Sequence, residues 1–127
     1  MALTTSEGIL IGTSETSLAS ISNNATLNST SPVDILQNNT SGGDLAFYLP
    51  NTSTVTAGTF DVSIYEQLTS GGQNYLRLFK QIAPINGTQY TYVGRISSPR
   101  YLYATVKNNA TGVTGSVALL WRLIQQQ

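Results

Sequence analysis

The sequence predicts an all-β fold: a single antiparallel two-sheet β-sandwich with an extended amino-terminal arm. Three observations support this prediction. Apolar residues alternate with a period of two, Thr, Val, Ile and Tyr are frequent, and Gly, Asn, Ser or Pro interrupts the pattern about every eight to twelve residues. About eight strands are expected, which suits either a jelly-roll or an immunoglobulin-like wiring. Because the chain has no cysteine, a true immunoglobulin domain with its Cys-Trp-Cys framework is disfavoured.

Residues 1–13 are predicted to form the arm, and residues 14–127 are predicted to form the sandwich domain. Within the arm, Ile9, Leu10 and Ile11 make a short apolar patch that suits contact with a neighbouring subunit. The first strands of the domain are expected near three stretches, namely 15–22, Val33–Leu36 and Leu45–Leu49. Pro50 is expected to end the third stretch, because proline has no N–H to donate to a sheet.

A β-hairpin is predicted over Phe60–Ile82. Its two strands are joined by a turn at Ser70–Gln73, in which Gly-Gly supplies the positive φ that tight turns need. Alternation divides the first strand into a core-facing set and an outward set. These sets are Phe60, Val62 and Ile64 on the inside, and Asp61, Ser63 and Tyr65 on the outside.

A second hairpin is predicted between Gln89–Ile96 and Tyr101–Lys107, joined by Ser97–Arg100. If this loop sets the register, four tyrosines share one face, with Lys107 at its edge; they are Tyr90, Tyr92, Tyr101 and Tyr103. Exposed tyrosines at this density are typical of protein interfaces and of platforms that stack sugars. A third interpretation, in which the tyrosines cap the sandwich or the face is inverted, stays open.

The last predicted strand, Gly115–Ile124, contains the run Val117-Ala118-Leu119-Leu120-Trp121. A strand with one face in water should alternate, so continuous apolarity indicates cover on both faces. The core provides one cover, and the arm, a neighbouring subunit or the opposite sheet provides the other. Trp121, the sole tryptophan, is predicted to be a core anchor.

The composition excludes several classes of function. Only 9% of residues are charged, and Ser, Thr, Asn and Gln together supply the polar surface. Zero net charge argues against a nucleic-acid or membrane partner. The absence of His and Cys removes imidazole and thiolate chemistry, so no catalytic site, metal or cofactor is expected. All six acidic residues precede all six basic residues. Either the subunit has two oppositely charged ends and docks head to tail, or the fold interleaves the two parts of the chain and their charges cancel.

Seven Asn-x-Ser/Thr sequons occur, and their residues are Asn24, Asn28, Asn38, Asn39, Asn51, Asn86 and Asn109. They are explained either by Asn/Thr-rich turns or by glycosylation of a secreted domain. The start of the sequence lacks a basic region and a long apolar run, so no signal peptide is expected. The first explanation is therefore preferred, with synthesis in the host cytoplasm.

The sequence contains two segments with the pattern of hairpins, FDVSIYEQLTSGGQNYLRLFKQI and YTYVGRISSPRYLYATV. It also has loops rich in Asn, Thr and Ser, and it lacks Cys and His. This combination resembles the small auxiliary proteins of tailed-phage virions, such as capsid decoration, neck or fibre-base proteins. The resemblance implies a non-enzymatic β-sandwich that resides in the virion and binds copies of itself and other virion proteins. The alternative is a carbohydrate-binding or adhesin-type module that stacks a surface glycan on the same tyrosines.

Overall fold

Eleven strands make up the regular structure of the described residues, which are 7–12, 17–22, 25–29, 33–34, 43–53, 59–83, 87–97, 99–109 and 115–125 of this computed structural model. The strands are β1 (Glu7–Ile11), β2 (Ala19–Ile21), β3 (Thr26–Asn28), β4 (Val33–Asp34), β5 (Asp44–Ser53), β6 (Phe60–Gln67), β7 (Tyr75–Ile82), β8 (Gly87–Ile96), β9 (Tyr101–Asn108), β10 (Gly115–Val117) and β11 (Leu119–Gln125). All strand pairs are antiparallel. The predicted all-β sandwich is confirmed.

The strands form two sheets. In sheet A, β5 pairs with β8 on one side and with β10 and β11 on the other, and β1 and β2 lie beyond β11 and β10. In sheet B, β9 pairs with β6 on one side and with β3 and β4 on the other, and β7 lies beyond β6. Each sheet is therefore four strand positions wide.

The strand order identifies the wiring as a jelly roll. Counted along the chain, β1/β2, β3/β4 and β10/β11 each occupy one strand position, which gives eight positions in all. Sheet A then has the order 1-8-3-6 and sheet B the order 2-7-4-5. Successive positions cross repeatedly from one sheet to the other, as they do in the double Greek key of a jelly roll. This finding decides between the two wirings that the sequence leaves open.

Pro50 lies inside β5, which corrects the prediction that it ends the strand. The backbone N–H of Ala118 donates to the Pro50 carbonyl at 3.0 Å, and proline has no N–H to return this bond. The register is the same on either side, with Asn51 opposite Val117 and Tyr48 opposite Leu120. β10 and β11 thus occupy one continuous strand position. They are separated only at Ala118, because Pro50 opposite has no N–H to donate.

The core fills the space between the inner faces of the two sheets. As predicted, Phe60, Val62 and Ile64 are fully buried, while the residues between them are partly exposed. The same alternation on β5 and β9 adds Leu45, Phe47, Leu49, Leu102, Ala104 and Val106. Each large aliphatic or aromatic side chain buried in this way contributes roughly 1.5–3 kcal/mol relative to exposure.

Trp121 is 1% exposed, which confirms it as a core anchor. It lies opposite Gly8 of β1 and Phe47 of β5. A Cβ on Gly8 would come within 2.5 Å of the indole ring, so only glycine lets the ring lie across the edge strand. The run Val117–Leu119 is also buried, as the continuous apolarity predicts.

The segment predicted as an arm contains β1, the edge strand on β11. Leu10 and Ile11 are both buried in the core of their own chain, and Ile9 faces outward. A register shift between Ile9 and Ile11 places the two consecutive side chains inside. The structure therefore corrects the prediction that Leu10 and Ile11 belong to an exposed patch; residues 1–6 and 13–16 lie outside the described residues.

The two hairpin predictions have different outcomes. β6 and β7 pair through the expected turn, so the first hairpin is confirmed. The second is wrong, because β8 pairs with β5 in sheet A and β9 pairs with β6 in sheet B. Ile96 and Leu102 approach the core from opposite sheets, so the loop between them connects two layers.

Charges of the two halves of the chain interleave in the fold. Glu66 pairs with Arg77 across the β6–β7 hairpin, and Asp44 pairs with Arg95 at 2.7 Å across β5 and β8. Each described ion pair joins an acid from the stretch that ends at Glu66 to a base from the stretch that begins at Arg77. These pairs favour cancellation over a subunit with two charged ends.

Gly8→Ala tests the contact between β1 and Trp121. The added methyl group would overlap the indole ring, so we expect a loss of about 1–3 kcal/mol in the free energy of unfolding. Urea unfolding followed by Trp121 fluorescence measures the loss. Ser20→Ala, at an exposed position on β2, is the matched control and should change stability by less than about 0.5 kcal/mol. Equal stability of Gly8→Ala and the wild type would contradict the assigned contact.

Candidate binding surfaces

The predicted tyrosine face is divided between the two sheets. Tyr101 and Tyr103 share the outer face of β9 with Lys107, in sheet B. Tyr92 lies on β8 in sheet A, with its side chain 49% exposed. The side chain of Tyr90 lies outside the described residues. The shared four-tyrosine face is therefore wrong, because the two strands belong to different layers.

The outer face of sheet B carries an apolar and aromatic patch, here called the sheet B surface, made of Tyr65, Leu76, Phe79, Tyr101 and Tyr103. Tyr103, Tyr65 and Leu76 lie directly opposite one another on β9, β6 and β7. The rings of Tyr65 and Tyr103 are 6.3 Å apart, a distance typical of an interacting aromatic pair. Leu76 is 58% exposed and Phe79 is 50% exposed. The patch combines partly buried rings with two largely exposed apolar side chains.

A bulge in β7 creates the exposed part of this surface. Leu76 and Phe79 are three residues apart, so a regular strand would send them to opposite faces. The register shifts between Ile64 and Tyr65 of β6, which leaves Arg77 as the extra residue on β7. Leu76 then pairs with Tyr65 and Phe79 pairs with Ser63, so both side chains reach the outer face.

The turn beyond the sheet B surface is held in a fixed shape. Gln67 Nε2 donates to Asn74 Oδ1 at 2.7 Å, and the Gly71 N–H donates to Gln67 Oε1 at 2.8 Å. Gly71 has a φ of 81°, which confirms the predicted need for glycine in this turn. Leu68, at the tip, is 77% exposed. Two hydrogen bonds from one glutamine side chain thus fix the loop that presents an exposed leucine.

The backbone edge of β7 is protected against pairing with another strand. Its bulge and two cationic residues, Arg77 and Lys80, are devices by which edge strands avoid uncontrolled association. Glu66 holds Arg77 and also accepts a bond of 3.0 Å from the Arg100 N–H. The outer face of the strand remains accessible, so contact through this region is expected to use the face rather than the edge.

The outer face of sheet A carries a second patch. Ile9, Leu120, Tyr48 and Tyr92 lie in one row across its four strand positions. The rings of Tyr48 and Tyr92 are 5.6 Å apart and tilted by 58°. The guanidinium group of Arg122 lies 5.7 Å from the Tyr48 ring, a cation–π contact.

A cross-strand row with two arginines lies next to the row that contains these tyrosines. Arg122 and Arg95 lie on either side of Ala46, and Arg95 donates to Asp44. Tyr92 and Arg95 share the outer face despite a spacing of three, because the β5–β8 register shifts at Val93. The sheet A surface is defined here as Tyr48, Tyr92, Arg95, Asp44 and Arg122.

The remaining predicted site residue, Lys107, is exposed opposite Asp61. Asp61 accepts hydrogen bonds from Thr59 Oγ1 at 3.0 Å and from Asn109 Nδ2. Asn109 and the fully buried Asn51 belong to sequons, and Asn51 Nδ2 donates to the Leu49 carbonyl at 3.3 Å. The side-chain amides of Asn51 and Asn109 therefore both donate hydrogen bonds within the fold. The sequons at Asn24, Asn38, Asn39 and Asn86 lie outside the described residues.

Within the described residues, no group of three or more His, Cys, Asp or Glu side chains is arranged to hold a metal ion. That same part of the chain contains no helix with the length and apolarity required to cross a bilayer.

No protein-family model and no curated protein matches the sequence. Solved structures resemble the fold at low identity. A chain in the structure of infectious bursal disease virus, Gx strain, is 9% identical with a TM-score of 0.51; the match covers 92% of this chain and 31% of that one. A mutant of the family 29 carbohydrate-binding module CBM29-2 is 8% identical with a TM-score of 0.49, over 91% and 90% of the two chains. The CBM6 module of LamC from Zobellia galactanivorans is 13% identical with a TM-score of 0.47, over 91% and 88%.

Gly94→Ala tests the bulge that positions Tyr92 and Arg95. Gly94 has a φ of 157°, and an added Cβ would lie 2.7 Å from Leu78 Cδ1 of the opposite sheet. We expect a loss of about 1–3 kcal/mol in the free energy of unfolding, measured by urea denaturation. The same substitution in a Leu78→Ala background should cost less, because the colliding atoms are gone. An equal cost in both backgrounds would contradict the steric explanation.

Proposed function

We propose that this protein is a non-enzymatic structural protein that assembles with copies of itself and with other proteins through the sheet B surface. The observation that carries the proposal is the exposure of Leu76 and Phe79 together on the outer face of sheet B. Contiguous exposed apolar side chains of this size mark sites of protein contact more often than ordinary surface.

The surroundings of Leu76 and Phe79 support this use. Tyr65 and Tyr103 lie beside them on the same face, and each of the two rings is partly buried and packs against the other. Leu68, 77% exposed, adds a further apolar side chain at the tip of the same hairpin. Burial of such area contributes roughly 25 cal/mol per Å², offset by the loss of translational and rotational freedom. Association also costs side-chain ordering, and contact residues that are already packed lower that cost.

A role as an auxiliary protein of a virion is the specific form of this proposal. It rests on the sequence resemblance to such proteins of tailed phages and on a surface poor in charge. Neutral Ser, Thr, Asn and Gln side chains lose less solvation than charged groups when a neighbouring subunit covers them. The jelly roll is a fold that virus capsids and lectins both use, so the wiring alone does not choose between assembly and glycan recognition.

Carbohydrate binding is a second candidate function, and the sheet A surface favours it. There, the exposed Tyr92 packs against the partly buried Tyr48 beside an arginine–aspartate pair, which places a stacking ring next to hydrogen-bonding groups. The two candidates use opposite outer faces of the sandwich.

The double variant Leu76→Ser/Phe79→Ser tests assembly. We expect the wild type to form a closed oligomer and the variant to be monomeric, because the central apolar contacts are lost. Native mass spectrometry and analytical ultracentrifugation over a concentration series measure the change. Ile124→Ser, at an exposed apolar position of sheet A, is the matched control and should keep the wild-type mass.

Salt distinguishes apolar contact from polar docking. A face-to-face apolar contact should keep its mass from low to high ionic strength, whereas docking between charged ends should weaken steeply. A wild-type protein that stays monomeric at every concentration and salt level would contradict self-assembly.

A further inference from the structure

We propose that the sheet A surface binds a neutral hexopyranose glycan. The inference rests on the second candidate function and deepens it, because it assigns a site and a ligand class. The residues concerned are Tyr92 and Tyr48 as the stacking corner and Arg95, Asp44 and Arg122 as the hydrogen-bonding groups.

The two tyrosines form a corner rather than a flat stack. Their rings are 5.6 Å apart with an interplanar angle of 58°. Tyr92 is half exposed, while Arg122 lies over the Tyr48 ring. A pyranose ring has an apolar C–H face and a hydroxylated rim, so its C–H face can lie on Tyr92 while Tyr48 contacts its edge. Tyr92 is therefore the main stacking residue.

The neighbouring ion pair suits hydroxyl groups. Arg95 and Asp44 bind each other at 2.7 Å, with the arginine side chain 52% exposed and the aspartate side chain 12% exposed. A sugar hydroxyl both donates and accepts, so two adjacent hydroxyls can bond to a guanidinium N–H and to a carboxylate oxygen together. The pair carries no net charge, and the Arg122 guanidinium lies over the Tyr48 ring, so the charged groups of the site already contact neighbouring side chains and suit a neutral glycan.

The opposite face has a different arrangement. On the sheet B surface, the exposed side chains beside the Tyr65–Tyr103 pair are Leu76 and Phe79, which offer no hydrogen-bonding groups, and the exposed Lys107 lies four residues along β9 from Tyr103. On sheet A, the exposed tyrosine and the ion pair lie on adjacent cross-strand rows. Stacking and hydrogen bonding are thus available together on one outer face.

Rigid backbone holds the site. Tyr48 and Asp44 belong to β5, which pairs on both sides, and Tyr92 and Arg95 flank the bulge in β8. Gly94 within the bulge packs against Leu78 of the other sheet, which limits movement of β8. A site held in this way loses little conformational entropy on binding.

The test uses affinity electrophoresis of the full chain in gels that contain a soluble neutral glucan, mannan or galactan, and in parallel gels that contain an acidic polysaccharide. Calorimetric titration with an oligosaccharide of the retained polymer then gives the affinity. We expect the wild type to be retarded by at least one neutral polymer. Tyr92→Ala should weaken binding roughly tenfold, Tyr92→Phe should keep most of it, and higher salt should leave it unchanged.

Tyr75→Ala is the matched control, since Tyr75 is a tyrosine with nearly the same exposure as Tyr92, lies on the other sheet and is not part of the sheet B surface. It should leave glycan affinity unchanged, and thermal melts should show that both variants fold. Equal loss in both variants, or binding that survives Tyr92→Ala, would overturn the site while glycan binding stands. Retention by acidic polymers alone would overturn the ligand class, and no retention of the wild type would overturn site and function together.

Discussion

A β-strand sends successive side chains to opposite faces, and local breaks of this period in β1, β7 and β8 decide what the sandwich presents to solvent. The break in β1 turns Leu10 and Ile11 inward together. The breaks in β7 and β8 each bring two residues that are three positions apart to the outer face of their own sheet. Without them, Phe79 and Arg95 would point toward the core, and neither candidate surface would have its present composition.

Local alternation is the part of the fold that the sequence predicts well. The inward set on β6, the β6–β7 hairpin and the burial of Trp121 all follow from the order of apolar and polar residues. The wiring does not follow, because Gln89–Lys107 has the pattern of a hairpin whether its strands pair or cross between layers. Long-range pairing of β8 with β5 decides the matter, and a local pattern contains no information on it.

The candidate sites were harder to predict for a related reason. A period-two analysis places Leu76 and Phe79 on different faces, so it misses the exposed part of the sheet B surface. It also cannot place Tyr48 beside Tyr92, because these residues are 44 positions apart in the sequence and only the β5–β8 register brings them together. The one usable signal in the sequence was residue type, because tyrosine is enriched at sites of protein contact.

The protected edge of β7 and the exposed face beside it argue for controlled rather than open-ended association. An unguarded edge would let sheets extend from chain to chain, and the bulge with Arg77 and Lys80 opposes this outcome. A contact confined to the face of sheet B can close on itself under rotational symmetry. Because the outer faces of a two-layer sandwich lie on opposite sides, such a contact leaves the tyrosine corner of sheet A accessible. The two proposed activities are therefore compatible within one assembled subunit.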